Sequence, residues 1–510
     1  MLKSDEGKTV SYWEASADLL EKGSLNQSIE TDVCIIGGGI SGLTTAYLLT
    51  KAGRSVIVVD DGVIGGGETC RTTAHLSNAL DDRIYRVEEW HGEDKAKLAV
   101  EAHMRAIGEI ERIVETEKID CDFLRVDGFL IEAEDGEDDL QKELEAAHRA
   151  GFSEVEFVER APIKDFDTGK CLRFPRQGQF HILKYLSGLA KAIEQNGGKL
   201  FSNTRAIEWK GEDAPQVKTA DGKTIRAQSI VLATNYPIMS KMFAKLPAYR
   251  TYVIGAKLPK DSIEKCLIWD TADPYRYVRT QPENDYDVLI VGGEDHRTGQ
   301  DDNADEHLGR LVQWTQKRFP QVEEIFHKWS GQFLETHDGL AFIGRFSSSE
   351  PNVYLITGDS GMGMTHGTIG GMLVSDLVLE RANPWTEVFD PSRILTQSIT
   401  EAVPEIISST VPYVDWLTGG DVSSADEIKN GQGAIISHGT TKIAAYRDEN
   451  GKLYQRSAVC AHLGCIVRFN SLEKTWDCPC HGSRYGIDGH AINTPAFTGL
   501  AELKEETENS

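Results

Sequence analysis

Asp32-Val33-Cys34-Ile35-Ile36-Gly37-Gly38-Gly39-Ile40-Ser41-Gly42 joins a short apolar run to a glycine-rich turn. The unbroken apolar residues up to Ile36 read as a strand buried on both faces of a parallel sheet. Beyond the turn, Ile40, Leu43, Tyr47 and Leu48 recur at helical spacing as far as Ala52, and Gly53 ends the helix. Ser55 to Val59 is a second buried strand. The turn Gly37-x-Gly39-x-x-Gly42 therefore sits between strand and helix of one βαβ unit, the setting in which this pattern marks a dinucleotide site. Gly37 permits the tight turn, Gly39 lets the backbone approach a pyrophosphate, and Gly42 lets helix and sheet pack closely. The helix start at Ile40 and Ser41 offers N–H groups and a positive dipole end to the phosphates. Asp60 closes the second strand, 18 residues after Gly42, and is placed to accept from a ribose 2′-hydroxyl. Asp61 is its neighbour, but alternation along the strand end favours Asp60.

Around this unit lies a long chain of 510 residues, too many for one compact core. A hydrophobic fraction of 40% and a mean hydropathy of −0.35 fit a folded, soluble protein. No apolar run reaches the roughly 18–20 residues of a membrane helix. The start has no apolar targeting segment or cleavage site, which predicts a cytoplasmic protein. The net charge of −26 disfavours nucleic acid as a partner and serves solubility. Composition leaves an oligomer possible.

Charged amphipathic helices are expected over 88–117 and 138–150, and a helix over 182–195. Strands are expected within 199–209, 216–219, 229–233 and 353–356, then a helix over 367–381. Residues 1–28 read as a polar surface lead-in. After Arg381, Asn383-Pro384-Trp385 and Asp390-Pro391-Ser392 break regular structure, and 406–430 shows no clear period. From Gly431 onward come short strands with hairpin signals at 448–451 and at Asp488-Gly489, and no helix. The expected division is a lead-in to 28, a body over 29–400, a connector over 401–429, a β domain over 430–502 and a charged tail over 503–510.

Two more glycine-rich segments lie in the body. One runs from Gly65 to His75, just after the second strand, and the other from Asn352 through Gly358, Gly361 and Gly363 to Thr365. With the first turn, they resemble the FAD-dependent amine and amino-acid oxidoreductases, the family of glycine and D-amino-acid oxidases. The resemblance implies an α/β (α+β) FAD-binding Rossmann-like domain built from about 29–85, 180–240 and 338–385, with a mixed-sheet substrate domain between these segments. It implies that Gly361, Gly363, Met364 and Thr365 lie by the pyrimidine side of the flavin, where a helix start stabilises the charge of the reduced ring. Arg71, Thr72 and Thr73 would contact the pyrophosphate or flavin. Some relatives tether the flavin through a His in a G-x-T-x-H pattern. Here Gly67-Glu68-Thr69-Cys70-Arg71 has Arg at that place, so no tether is expected there. Ala233 and Thr234 match a strand end that lies by FAD, with Asn235 where Gly is usual. His75 is expected to be a packed histidine.

The same resemblance places Arg345 near the flavin, after Asp338-Gly339-Leu340-Ala341-Phe342-Ile343-Gly344, in which Ala341 replaces the usual Pro. A bidentate Arg would suit a substrate carboxylate. Arg276 and Arg279, set among Tyr275 and Tyr277, and His181 are further substrate-site candidates. Direct hydride transfer needs no base beyond substrate deprotonation, so no catalytic base is named.

Of nine cysteines, Cys34, Cys70, Cys121, Cys171 and Cys266 are scattered and expected to be buried thiols. The other four lie in Cys460-Ala461-His462-Leu463-Gly464-Cys465 and Cys478-Pro479-Cys480-His481-Gly482-Ser483. Two Cys and two His in paired loops could hold tetrahedral zinc. The spacing C-x-H-x15-C-x-x-H is also that of a Rieske [2Fe–2S] centre. Over about 430–500 the chain resembles Rieske proteins and implies an all-β Rieske domain. By that resemblance Cys460 and Cys478 bind one iron and His462 and His481 the other. Cys465 and Cys480 match the disulfide that ties the two loops in high-potential respiratory-type members, although reduced thiols stay possible in a cytoplasm. Ser483 and Tyr485 match hydroxyls that donate to the cluster sulfurs and raise its potential. Thr494-Pro495-Ala496 resembles the loop that covers the cluster.

Together these readings imply an FAD-dependent dehydrogenase. It oxidises a C–N bond of a small amine or amino acid and passes electrons through the cluster to an unidentified acceptor. The alternative is an electron-transfer or redox-sensing module reduced by a partner protein. A Rieske oxygenase would need a mononuclear iron held by two His and a carboxylate, and no such pattern is present.

Overall fold

The computed structural model describes residues 7–133, 139–212, 214–236, 246–301, 303–393, 415–416 and 419–503. Val33–Ile36 lies inside a six-stranded sheet ordered Phe342–Ser347, Glu350–Thr357, Ser229–Leu232, Val33–Ile36, Val56–Val59 and Lys199–Phe201. The first pair is antiparallel and the others are parallel. All residues of 33–36 and 56–59 are buried. The pleat sorts them between two cores. Val33, Ile35, Val56 and Val58 pack beneath the helices Ile40–Lys51 and Ile182–Gln195. Cys34, Ile36, Ile57 and Val59 pack against Ala206, Val217 and Ile225 of a four-stranded sheet on the opposite face. Burial on both sides explains why these strands read as continuous apolar runs.

A nine-stranded sheet forms the second layer of the body. Its longest strands are Ala248–Pro259, Tyr286–Arg297 and Glu324–Leu334, and its far end is Leu124–Ile131 and Cys171–Gln179. The helix Ala304–Arg318 covers one face through Leu308 and Leu311. The C-terminal domain is two small sheets. One is Gln432–His438, Thr441–Arg447 and Leu453–Ser457; the other is Arg468–Asn470, Thr475–Asp477, Arg484–Gly486 and Ala491–Asn493. Hairpin turns fall at 448–452 and 487–490, where the sequence signals stand. Among the described residues, no helix is long and apolar enough to cross a membrane.

Several expectations are corrected. Within the expected surface lead-in, Tyr12–Ser16 is a short helix that inserts into the body, and Trp13 is 0% exposed. The charged helix expected over 88–117 is two helices, Ile84–His91 and Glu93–Glu117, broken at Gly92 with φ +83°. The late helix starts at Gly363, one turn earlier than its apolar period suggested. The sheet strands over 248–334 and the helix Ala304–Arg318 carry no signal singled out in the sequence. Most of the connector and residues 504–510 of the tail lie outside the described residues. The five scattered cysteines are all buried free thiols.

Candidate functional site

The glycine turn opens on a cavity of about 530 Å³ between the two layers of the body. Gly37 has φ +110°, and a Cβ there would stand 2.3 Å from the Ala233 carbonyl oxygen. A Cβ on Gly39 would stand 2.8 Å from Thr69 Oγ1. Bare backbone is therefore the only lining this corner admits, which suits a pyrophosphate. Ile40 N donates to Thr69 Oγ1 at 3.3 Å. Asp60 lines the cavity and accepts from Gly38 N at 2.6 Å and Gly62 N at 2.9 Å. Burial, then the Asp61 carboxylate, push its carboxyl up to about 6. Ala233 and Thr234 also line the cavity. Asn235, the departure from glycine, has φ +61°, a left-handed conformation that asparagine tolerates.

Gly361, Gly363, Met364 and Thr365 line the same cavity at the start of the helix Gly363–Val378. Thr365 Oγ1 lies 2.9 Å from His103 Nδ1, which fixes its rotamer from behind. Thr72, Thr73 and His75 complete this wall. His75 is packed as expected, with Nδ1 3.0 Å from Thr73 Oγ1 and Nε2 3.3 Å from the Val278 carbonyl oxygen. These surfaces form a continuous cradle of glycine turns and helix starts, and the residues present fit FAD. Thr69 was not singled out in the sequence, although it sits in the quoted glycine-rich loop.

Arg71 lines the cavity with Thr72 and Thr73 and has a second task. Its guanidinium donates to Ser330 O (2.8 Å), Thr9 O (3.1 Å) and Glu473 Oε1 (3.1 Å). Glu473 belongs to the C-terminal domain, so Arg71 is a tie between domains.

None of the four substrate-site candidates lines the cavity. Arg345 is exposed on an outer strand, donating to the Pro351 carbonyl oxygen and lying over Tyr354. Asp338 of its motif pairs with Arg393 instead, at 2.7 Å through both carboxylate oxygens. Arg276 is held by Glu294 (3.1 Å) and Asp270 (4.0 Å). Arg279 is buried and donates to the carbonyl oxygens of Ala74 (2.8 Å), Phe180 (3.0 Å) and Thr73 (3.3 Å). His181 caps the helix Ile182–Gln195 and lies 3.0 Å from Ser16 Oγ. Burial, then Lys184, press its imidazole down to about 3, which keeps it a neutral structural group. The nine-stranded sheet instead presents Thr251, Trp269, Tyr275, Tyr277 and Asp295 to the cavity, facing Asp81.

In the C-terminal domain the two loops meet. Cys465 and Cys480 are joined by a disulfide, with Cα atoms 6.5 Å apart. Cys478 Sγ lies within 4.8 Å of both disulfide sulfurs. The rings of His462 and His481 stand edge to face with centroids 5.0 Å apart. Tyr485 Oη lies 3.0 Å from Cys460 Sγ and accepts from Ala461 N at 3.1 Å. With Cys460 as a thiolate, the form a metal ligand takes, the hydroxyl is the donor of this pair. Contact with Cys478, then Tyr485 and Ser483, hold the Cys460 thiol down to about 6 against the effect of burial. Burial, then His462 and Arg297, press His481 down to about 4. Contact with Cys460, then burial, push the Cys478 thiol up, so one of the two thiols is poised as a thiolate. Two sulfurs and two neutral imidazoles are a donor set that fits a Rieske cluster.

These loops dock on the body beside the cavity. Gln332 lines the cavity, and its Nε2 donates to the Gly482 carbonyl oxygen at 3.1 Å, next to His481. Gln300 Nε2 donates to the Pro479 carbonyl oxygen at 3.3 Å. Residues 490–494 and Phe497 form part of the cavity wall. Within that covering segment, Ala496 N donates to Ser483 Oγ at 3.1 Å.

Comparison with known proteins agrees with both halves. The family model for the FAD dependent oxidoreductase matches residues 32–377, and the Rieske [2Fe-2S] domain model matches 420–504. The Rieske 2Fe-2S iron-sulfur protein YhfW of Bacillus subtilis strain 168 is 33% identical, over 96% of this chain and 97% of its own length. The gamma-glutamylputrescine oxidoreductase of Escherichia coli K12 is 29% identical, over 72% of this chain and 89% of its own. Glycine oxidase from Geobacillus kaustophilus shares the fold with a TM-score of 0.60 at 18% identity, covering 72% of this chain and 99% of that one. This chain belongs to the FAD dependent oxidoreductase family and carries a Rieske [2Fe-2S] domain at its C-terminal end.

Proposed function

We propose that the chain is an FAD-dependent dehydrogenase for the C–N bond of a small amine or amino acid. In this reading Cys460 and Cys478 hold one iron of the cluster and His462 and His481 the other. Bound FAD supplies a hydride acceptor that can release its electrons singly. The substrate's ammonium form would lose one proton from nitrogen to solvent and the resulting amine a hydride from carbon, leaving an iminium ion. The two electrons leave one at a time through the cluster to an acceptor outside the chain.

One observation carries this reading: Gln332 touches both the cavity and the cluster loop, with its amide 3.1 Å from Gly482 O. A single side chain thus bridges the two cofactor sites. The other residues have supporting tasks. The helix start at Gly363 presents its dipole to developing negative charge. The gamma-glutamylputrescine oxidoreductase among the similar proteins supports a C–N substrate. Anaerobic mixing with substrate should bleach the flavin and then produce the electron-paramagnetic signal of a reduced Rieske cluster. A cluster that stays oxidised while the flavin turns over would refute the proposal.

The Tyr485 hydroxyl gives a second check. Its bond to Cys460 Sγ favours the more negative, reduced cluster. Tyr485→Phe should therefore lower the cluster potential, by on the order of 60 mV for a bond worth 1.4 kcal/mol. A redox titration followed by paramagnetic resonance measures this, and an unchanged or higher potential would contradict the assignment.

A further inference from the structure

The sheet end of the cavity has a chemistry of its own. Tyr275 and Tyr277 lie with ring centroids 5.3 Å apart. Tyr275 Oη donates to Asp81 Oδ2 at 3.2 Å. Tyr277 Oη lies 2.7 Å from Thr251 Oγ1. Asp295 lines the cavity here, and its buried Oδ1 has no hydrogen-bond partner. Trp269 lines the cavity as well. Asp81 is close to the expected flavin side, since a Cβ on Gly361 would stand 2.3 Å from its Oδ2.

Two carboxyl groups thus border an aromatic wall; of the three guanidiniums nearby, Arg83 also lines the cavity, and all three are held by partners in the protein. Arg276 is paired with Glu294 and Asp270. Arg279 is spent on backbone carbonyls. Arg83 donates to the carbonyl oxygens of Asp81 (2.7 Å) and Asp270 (3.3 Å). A substrate carboxylate placed here would crowd two carboxyl groups and lose its hydration without a bidentate partner. An ammonium ion would gain a charge-assisted bond from the bare Asp295 oxygen and attraction from the ring faces. Alkyl carbons would pack on the same rings.

We propose that the cavity takes an aliphatic amine as its ammonium ion, held by Asp295 and Asp81 against Tyr275, Tyr277 and Trp269, and does not recognise an amino-acid carboxylate. This rests on the reading that a C–N substrate is oxidised beside FAD, and narrows it. It also accounts for Asp295 when no cation is bound: burial pushes its carboxyl up to about 8, so a cation is needed to stabilise the charged form.

The test uses the full-length holoprotein and matched probes. n-Butylamine is compared with norvaline, which differs only by a carboxylate on the reacting carbon; putrescine is compared with ornithine, which adds a carboxylate at one of its two amine-bearing carbons. Anaerobic flavin reduction is followed for each probe. The amines should reduce the flavin at least about tenfold more efficiently than their amino-acid counterparts. Asp295→Asn should lower that efficiency at least about tenfold while flavin content and reduction by dithionite are unchanged. Faster reduction by norvaline than by n-butylamine would overturn the substrate class and leave the dehydrogenase reading standing. Flavin that dithionite reduces but none of the four probes does would overturn both. The matched comparison on the unaltered protein decides the matter even if the variant fails to fold.

Discussion

Glu473→Gln should destabilise the folded chain by about 3–5 kcal/mol, the cost of stranding a buried charge. Glu473 is 1% exposed and lies between the cluster domain and the body. Its Oε1 accepts from Arg71 Nη1 (3.1 Å), Ser330 N (3.1 Å) and Ser330 Oγ (2.6 Å), and Oε2 accepts from Thr9 N (3.1 Å). Burial alone would push its carboxyl up. The guanidiniums of Arg71, Arg484 and Arg250 overcome that and hold it down at about 2. Glutamine keeps the shape but removes the charge, so three buried cations lose their shared anion. A carboxyl depressed in the folded state contributes fully above its unfolded pKa near 4.3 and loses that contribution as pH falls towards 2. The variant should therefore differ most from the parent at neutral pH and converge with it in acid. Denaturant unfolding at two pH values measures both features. An unchanged midpoint at neutral pH would show that the contact does not hold the domains together. Flavin-to-cluster electron transfer should slow in the same variant, because Gln332 and Gly482 meet in the interface that Glu473 anchors.

The contrast between Glu473 and the glycine turn shows what a sequence can disclose. The strand, turn and helix of 32–51 are local: buried runs, a tight turn and a helical period are written within twenty or so residues of one another. The helix Ile182–Gln195 was legible with its ends for the same reason. The cluster loops were legible because metal-ligand chemistry restricts both residue type and spacing. The Arg71–Glu473 pair spans 402 positions, and no local pattern marks it. The same limit misplaced the substrate arginines. Arg276 and Arg279 look alike in sequence, but sheet register sets Arg276 beside Gly293, next to Glu294, and turns Arg279 inward onto carbonyls. Arg345 fell to the exposed side of its strand. A charged residue's role depends on which partners the fold delivers. The aromatic and acidic wall was hidden likewise, because Asp81, Thr251, Tyr275 and Asp295 converge from distant segments. Trp13 was hidden in a polar context that does not reveal how deeply its short helix inserts.

Gly42→Ala and Gly108→Ala make the same chemical change and should have opposite effects. Both glycines are helical, so alanine removes the same backbone freedom and gains about 1 kcal/mol in helix propensity at each. Space decides the sign. A Cβ on Gly42 would stand 1.9 Å from the Gly37 carbonyl oxygen and 3.3 Å from Ile35 Cγ2. The first of these is backbone of the cofactor turn, so the clash can be relieved only by opening the turn or lifting the helix from its strand. Overpacking of this kind costs about 1–3 kcal/mol, and here it also moves the N–H groups proposed to face the pyrophosphate. On Gly108, in the helix Glu93–Glu117, the new methyl meets nothing within 4 Å. Gly108→Ala should therefore raise the unfolding midpoint and leave FAD bound. Gly42→Ala should lower the midpoint and yield protein with little FAD, while the cluster spectrum of the C-terminal domain remains. Flavin released per chain on denaturation, read beside the iron content, measures the outcome. Full FAD occupancy in Gly42→Ala would mean that the turn can relax without cost, and that the third glycine is not what holds helix, strand and cofactor in register.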